Sequence, residues 1–152
     1  MIDLLATVEI FRGIPREGLI YLAGTGIQRT FATGDILLRQ GAVTETMYVI
    51  LSGRVEATNI YTPFRNRMTL ARMGAGDVVG ATGLLDHEPP PATVIAAEPT
   101  QALELDDLAL AQIILRYPAE CSYLLEILSR RLGTVDELAQ EIEERNGHQR
   151  SA

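Results

Sequence analysis

About eight short runs of β-forming residues, separated by turn residues at intervals of roughly ten positions, occupy the chain between residues 30 and 105. They include residues 36–38, 47–51 and 54–58, and glycine marks most of the turns between them. Short strands at regular spacing are typical of antiparallel sandwiches and jelly rolls. The pattern predicts a mainly β fold, an eight-stranded antiparallel jelly-roll β-barrel with flanking helices.

The helices before the strands are predicted from apolar spacing. One short amphipathic helix should carry Leu4, Leu5, Val8 and Phe11. Pro15 suits the first position of a second helix, and Gly24 and Gly26 supply its stop signals.

Two more helices are predicted after the strands. Asp106 and Asp107 are candidate caps for the first, whose apolar face would hold Leu108, Ala111, Ile114 and Leu115. Pro118 begins the second, which runs to about Asn146; ~28 residues give a helix of ~42 Å. Its heptad-like seam predicts a homodimer, the alternative being a helix folded back on its own sandwich, and contains Leu124, Leu128, Val135, Leu138 and Ile142.

A glycine-rich corner and a run of prolines stand within residues 79–94, VGATGLLDHEPPPATV. A glycine corner that opens a short helix can direct several backbone N–H groups at one anion, although most such corners only turn the chain. The candidate ligand-binding residues are Gly80, Ala81, Thr82, Gly83, Leu84, Pro90, Pro91, Ala92 and Thr93.

Composition excludes several classes of function. All 13 basic residues are arginine, so Schiff-base chemistry and a Walker-type phosphate loop are excluded. The single cysteine, Cys121, can form no internal disulfide and cannot supply the four thiolates of an iron–sulfur cluster. The net charge of −7 disfavours DNA binding. No apolar run approaches the ~20 residues of a membrane-spanning helix, so we expect a cytoplasmic protein without membrane contact.

No catalytic or metal-binding motif accompanies these features. His87, His148 and Cys121 are the candidate reactive side chains, and none lies in a nucleophile elbow, an HExxH motif or a CxxC pair. His87 lies in a predicted loop, and a lone loop histidine is commonly a solvated surface residue. We therefore expect a protein without enzymatic activity, and we predict no particular metal ion or cofactor.

The order of these elements resembles that of the cyclic-nucleotide-binding domains found in catabolite-activator-like regulators, kinase regulatory subunits and gated channels. The stretch FATGDILLRQGAVTETMYVILSGRVEAT resembles the first four strands of that family, and LELDDLALAQII resembles its entry into the closing helices. The resemblance implies a sensor domain over residues 1–117, a dimerisation helix over 118–146 and a polar tail over 147–152. The positions of the closing helix that face the base match Val135 and Asp136.

Within this resemblance, the ligand cassette departs from the family pattern at three polar positions. The glutamate that accepts a hydrogen bond from the ribose is matched by Ala81, and the arginine that pairs with the cyclic phosphate is matched by Pro90. The next residue offers its backbone N–H to the phosphate in the family, and Pro91 has none. We expect a cassette that does not bind cAMP or cGMP tightly, while its frame could hold another small effector.

Three functions stay open on the sequence. The first is a non-enzymatic regulatory sensor domain that dimerises and controls a protein partner, without binding DNA itself. The second is a genuine cyclic-nucleotide receptor that holds the phosphate by non-standard contacts, through Arg39 or Arg67. The third is the sensor fragment of a transcription regulator, because a DNA-reading domain would follow the long helix and only six residues follow Asn146.

Overall fold

The computed structural model describes residues 1–44, 46–61, 66–81, 90 and 92–126, with the backbone alone at 59–61 and 66–68. These residues form two compact units. One is Ile27–Glu104, and the other contains Met1–Gly26 and the described residues that follow Glu104. The sensor domain predicted over residues 1–117 does not coincide with either unit, and that division of the chain stays a prediction.

The N-terminal helices are shorter than predicted. Helix α1 covers Ile2–Leu5, a separate 3₁₀ helix covers Glu9–Phe11, and α2 covers Arg16–Thr25. The prediction of one helix reaching Phe11 is wrong because Thr7 closes α1: its hydroxyl and its amide both donate to the Leu4 carbonyl, at 2.6 and 2.9 Å. A threonine side chain that competes for a backbone carbonyl in this way disfavours a continuing helix.

Helix α2 begins one residue later than predicted. Pro15 is its N-cap, with an extended backbone (φ −67°, ψ 161°), and Arg16 is the first helical residue. Gly26 ends the helix as predicted, and its amide donates to the Leu22 carbonyl at 2.9 Å.

The eight strands predicted for the centre of the chain are present in the described residues. They are β1 Ile27–Phe31, β2 Ile36–Leu38, β3 Thr46–Ser52, β4 Arg54–Tyr61, β5 Asn66–Gly74, β6 Val78–Val79, β7 Thr93–Ala96 and β8 Thr100–Asp106. They form two four-stranded sheets, ordered β1-β8-β3-β6 and β2-β7-β4-β5. Every pairing described is antiparallel. The jelly-roll fold class is therefore confirmed.

Alternating side chains of these strands build the core between the sheets. The buried cluster contains Leu37, Leu38, Ile50, Val55, Val79, Val94, Ala96 and Ala102. The opposite faces are polar: Glu56 and Arg72 are register partners on β4 and β5, and their side chains pair at 3.2 Å. Because the side-chain period of a strand is two, Val55 of β4 lies in the core while its neighbour Glu56 lies on the opposite face.

The unit that contains both ends of the described chain has its own helical packing. Helix α3 covers Asp107–Arg116, and the Asp106 carboxylate accepts a hydrogen bond from the Ala109 amide at 2.8 Å, as the capping prediction requires. Of the predicted apolar face, Ala111 and Ile114 are buried, whereas Leu115 is 61% exposed and that part of the prediction is wrong. The buried apolar face is instead formed by Ala109, Leu110, Ala111, Ile113 and Ile114.

The segment after α3 turns before it becomes helical again. Residues 118–121 form a turn in which the Cys121 amide donates to the Tyr117 carbonyl at 2.9 Å, and residues 122–126 are helical. The second closing helix therefore begins four residues later than the predicted start at Pro118. Its predicted continuation to Asn146 lies outside the described residues. In the part of the chain that the structure describes, no helix has the length and apolarity needed to cross a membrane.

Candidate ligand-binding site

The glycine corner that follows β6 has a conformation that favours glycine. Gly80 has φ +86°, and a Cβ atom there would lie 3.0 Å from the Thr46 carbonyl oxygen and 3.3 Å from Leu38 Cδ1. Positive φ and close approach to β3 both disfavour a side chain. The chain then enters a helical conformation at Ala81. The predicted corner is confirmed at these two residues.

The return into β7 is held by the turn between β2 and β3. The Pro90 carbonyl accepts a hydrogen bond from the Gly41 amide at 3.1 Å. The Thr93 hydroxyl accepts one from the Gln40 amide at 3.0 Å. These bonds place the turn that contains Arg39 beside the cassette, although the Arg39 side chain itself is exposed.

A cavity of about 170 Å³ lies within the sandwich at this corner. Residues from β2, β4, β5, β6 and β7 line it together with the corner and the return: Leu38, Thr44, Ala57, Met73, Val78, Val79, Gly80, Pro90, Ala92 and Val94. Among the residues that the structure describes, no charged side chain lines the cavity. Its chemistry is that of an apolar core with one hydroxyl group.

The structure brings three of the nine predicted cassette residues to this cavity, namely Gly80, Pro90 and Ala92. Ala81 and Thr93 are partly buried next to them but are not in its lining. The predicted site residues Thr82, Gly83, Leu84 and Pro91 lie outside the described residues.

Sequence reasoning missed the lining residues that come from other strands. Leu38 and Ala57 are predicted only as strand residues, and no site role is predicted for Thr44, Met73 or Val94. The inward phase of each strand was the available signal. That signal marks a residue as buried without saying that a void remains beside it.

The predicted closing-helix residues Val135 and Asp136 lie outside the described residues, as do Leu128, Leu138 and Ile142 of the seam. Leu124 is described and is 1% exposed within this single chain. Its place in a dimer seam stays a prediction.

The ionisable side chains described for the sandwich do not line the cavity at Gly80. Arg29 and Glu104 pair at 2.6 Å beside a second, surface cavity of about 500 Å³ lined by Arg29, Thr30, Phe31, Asp35, Ile36 and Tyr48. Burial raises the pKa of the Tyr48 hydroxyl, and the nearby Glu104 carboxylate raises it further. Because Arg29 is already neutralised by Glu104, this cavity offers an incoming anion little net attraction.

Cys121 belongs to the helical unit and is fully buried. Its Sγ donates to the Ile113 carbonyl at 3.6 Å. Burial, with a smaller contribution from Glu120, raises the pKa of the Cys121 thiol to about 11. A thiol of this kind is unreactive at neutral pH. In the described part of the chain, no three His, Cys, Asp or Glu side chains are grouped to hold a metal ion.

The two antiparallel sheets and the glycine corner after β6 define a jelly-roll domain. The model of the cyclic nucleotide-binding domain family matches residues 28–117. The match covers more than half of the chain, and the chain therefore belongs to the cyclic nucleotide-binding domain family.

Individual relatives agree with this assignment. The chain is 28% identical over 127 residues to the cyclic AMP receptor protein of Thermus thermophilus, covering 84% of this chain and 58% of that protein. It is 30% identical over 106 residues to the human patatin-like phospholipase domain-containing protein 6, covering 69% of this chain and 8% of that protein. The chain thus spans little more than half of the receptor's length and a small part of the phospholipase.

Among solved structures, the chain is similar to the N-terminal domain of a transcriptional regulator from Streptomyces coelicolor A3(2). The TM-score is 0.75 at 27% sequence identity, and the alignment covers 86% of this chain and 92% of that one. The similarity therefore extends over almost all of that regulator's N-terminal domain.

Proposed function

We propose that this chain is a non-enzymatic regulatory sensor domain whose cassette does not bind cAMP or cGMP tightly and responds to another small effector. The observation that carries this proposal is the apolar cavity at Gly80, where Pro90 stands in the lining and no described residue presents a charge. A cyclic phosphate is an anion, and an anion moved from water into such surroundings loses solvation without gaining a partner.

The size of the expected loss follows from the three cassette positions. A hydrogen bond to a charged group contributes roughly 1.5–3 kcal/mol, and an arginine–phosphate pair is often bidentate. Without the contacts that the family pattern supplies at Ala81, Pro90 and Pro91, the loss is on the order of 4–7 kcal/mol. This corresponds to about three to five decades of affinity.

A second candidate function is supported by the turn between β2 and β3. The amides of Gln40 and Gly41 in this turn donate to Thr93 and Pro90. Arg39, the residue before them, therefore lies next to the edge of the cassette. Arg39 could supply the cation that Pro90 cannot, and the protein would then be a true cyclic-nucleotide receptor with non-standard phosphate contacts. Arg67, the other arginine suggested by the sequence, has no described side chain.

Isothermal titration of cAMP and cGMP into the purified chain separates these two functions. For the wild type, the proposal expects a dissociation constant of about millimolar or weaker. The triple variant Ala81→Glu, Pro90→Arg, Pro91→Ala should regain part of the affinity for the nucleotide. Micromolar binding by the wild type refutes the proposal. If that binding disappears in Arg39→Ala but survives in Arg54→Ala, an exposed arginine paired with Glu98, the second candidate holds.

The proposed output of the sensor is protein association. We propose that it forms a homodimer through the heptad-like seam after residue 118 and acts on a protein partner. The net charge of −7 supports a role without direct DNA contact by this chain. The similarity to the N-terminal domain of a Streptomyces transcriptional regulator also fits the sensor part of a longer regulator.

A further inference from the structure

The cavity at Gly80 has the size of a binding site for one small molecule. Its volume is about 170 Å³, and it is partly open to solvent. An enclosed apolar protein cavity of about 150 Å³ binds benzene. Two of its lining residues are the small side chains Ala57 and Ala92. The cavity is thus large enough for a single aromatic ring or a short aliphatic chain.

The lining selects against charge. Its described side chains are aliphatic, apart from the Met73 thioether and the Thr44 hydroxyl. The Thr44 hydroxyl donates to the Thr46 carbonyl at 3.3 Å, so its proton is already engaged. None of the described lining residues offers a charged partner to a carboxylate or phosphate, whereas an uncharged apolar molecule would lose little solvation among them.

Met73 gives the cavity a wall that can adjust. Its side chain is partly buried, packs against the core cluster and lines the cavity. The flexible, polarisable thioether of methionine adapts to irregular shapes and makes favourable contacts with aromatic rings. We propose that the ligand of this cavity is a small uncharged apolar molecule, such as a monocyclic aromatic compound. This inference rests on the proposed function, in which the effector is not a cyclic nucleotide.

Methionine-methyl NMR tests the inference directly. The chain has four methionines. Met73 lines the cavity, whereas Met1 is 44% exposed and serves as the internal reference. Toluene and benzoate are the probes, because they share a ring and differ in a charged group. Met73→Leu assigns the Met73 signal by removing it.

Toluene should shift the Met73 signal to saturation while the Met1 signal stays in place. Benzoate should bind at least about a hundredfold more weakly, since its carboxylate would be buried unpaired. Ala57→Leu should weaken toluene binding about tenfold or more by occupying the cavity. The matched control Ala119→Leu makes the same change at an exposed alanine of the other compact unit, and toluene affinity should then stay within about twofold of wild type. If Ala57→Leu does not fold, the comparison of the two probes on the wild type still decides.

Two results overturn the inference: a Met73 signal that moves no more than that of Met1 as toluene is added, or benzoate binding as tight as that of toluene. Titration of cAMP and cGMP into the same sample separates this failure from a failure of the proposed function. Micromolar binding of either nucleotide overturns the proposed function and the inference with it. If neither toluene nor nucleotide moves Met73, the inference alone is overturned.

Discussion

Replacing Gly80 by alanine should destabilise the protein through two separable effects. The residue has φ +86°, and a non-glycine residue in a left-handed conformation costs about 1–2 kcal/mol. The new Cβ would also lie 3.0 Å from the Thr46 carbonyl oxygen and 3.3 and 3.4 Å from the two Leu38 methyl groups. Because Leu38 belongs to the buried cluster, its displacement adds about 1–3 kcal/mol. Gly80→Ala should therefore lower the free energy of unfolding by about 2–5 kcal/mol.

Gly34→Ala is the matched control. Gly34 has nearly the same conformation, φ +93°, but nothing lies within 4 Å of the position that its Cβ would take. It should lose only the conformational contribution, about 1–2 kcal/mol. The difference between the two variants then measures the contacts of Gly80 with Thr46 and Leu38.

Urea unfolding followed by circular dichroism provides the measurement, with the slope of the free energy against urea checked for constancy between variants. Equal losses in the two variants would show that the approach of Gly80 to β3 is not as close as the structure has it. A loss below about 0.5 kcal/mol in Gly80→Ala would show that the corner does not adopt the left-handed conformation at all.

Three further predictions concern the helical unit and the chain beyond it. Asp106→Ala removes the carboxylate that accepts from the Ala109 amide and should lower the free energy of unfolding by about 1 kcal/mol in the same urea assay, whereas an unchanged value would show that the cap contributes nothing. Cys121, whose thiol pKa is raised to about 11, should react with a disulfide reagent at pH 8 at least about a hundredfold more slowly in native than in unfolded protein. The pKa of this thiol in the folded protein lies above its ordinary value of 9.0. Its contribution to the free energy of unfolding should therefore be fully present below pH 9 and should decrease progressively up to about pH 11. A native thiol that reacts at the unfolded rate would contradict both statements. Light scattering should give twice 16.6 kDa for the wild type and the monomer mass for Leu138→Glu, which puts an unpaired charge in the predicted seam; a monomeric wild type at tens of micromolar would end the dimer proposal.

The number and order of the strands could be predicted from the sequence because strand formation here is signalled locally. Turn residues recur at short intervals, and runs of β-forming residues lie between them. Each strand can therefore be recognised from its own residues and from the turns that flank it. The same holds for the Asp106 cap, where the carboxylate and the Ala109 amide are three residues apart. The family resemblance added the position of the cassette, and the glycine at residue 80 has the positive φ that a corner there demands.

The break after Leu5 was also encoded locally but was missed. Apolar spacing at Leu4, Leu5, Val8 and Phe11 favours one continuous helix, while Thr7 bonds to the Leu4 carbonyl and ends it. Both signals are present in the sequence. The spacing of apolar residues indicates which side chains are buried. It does not indicate that a threonine hydroxyl competes for a backbone carbonyl oxygen.

By itself, then, the sequence determined the class of fold and the succession of strands along the chain. Through the family resemblance it also predicted a cassette without the family's polar residues at Ala81, Pro90 and Pro91. Only the tertiary structure decided that a cavity exists and what lines it. Leu38, Ala57, Met73 and Val94 come from four different strands, and they meet because β4 pairs with both β5 and β7 while β2 pairs with β7. Whether neighbouring side chains fill the space between two sheets depends on register and on the volumes of residues far apart in the chain, and no local pattern carries that information.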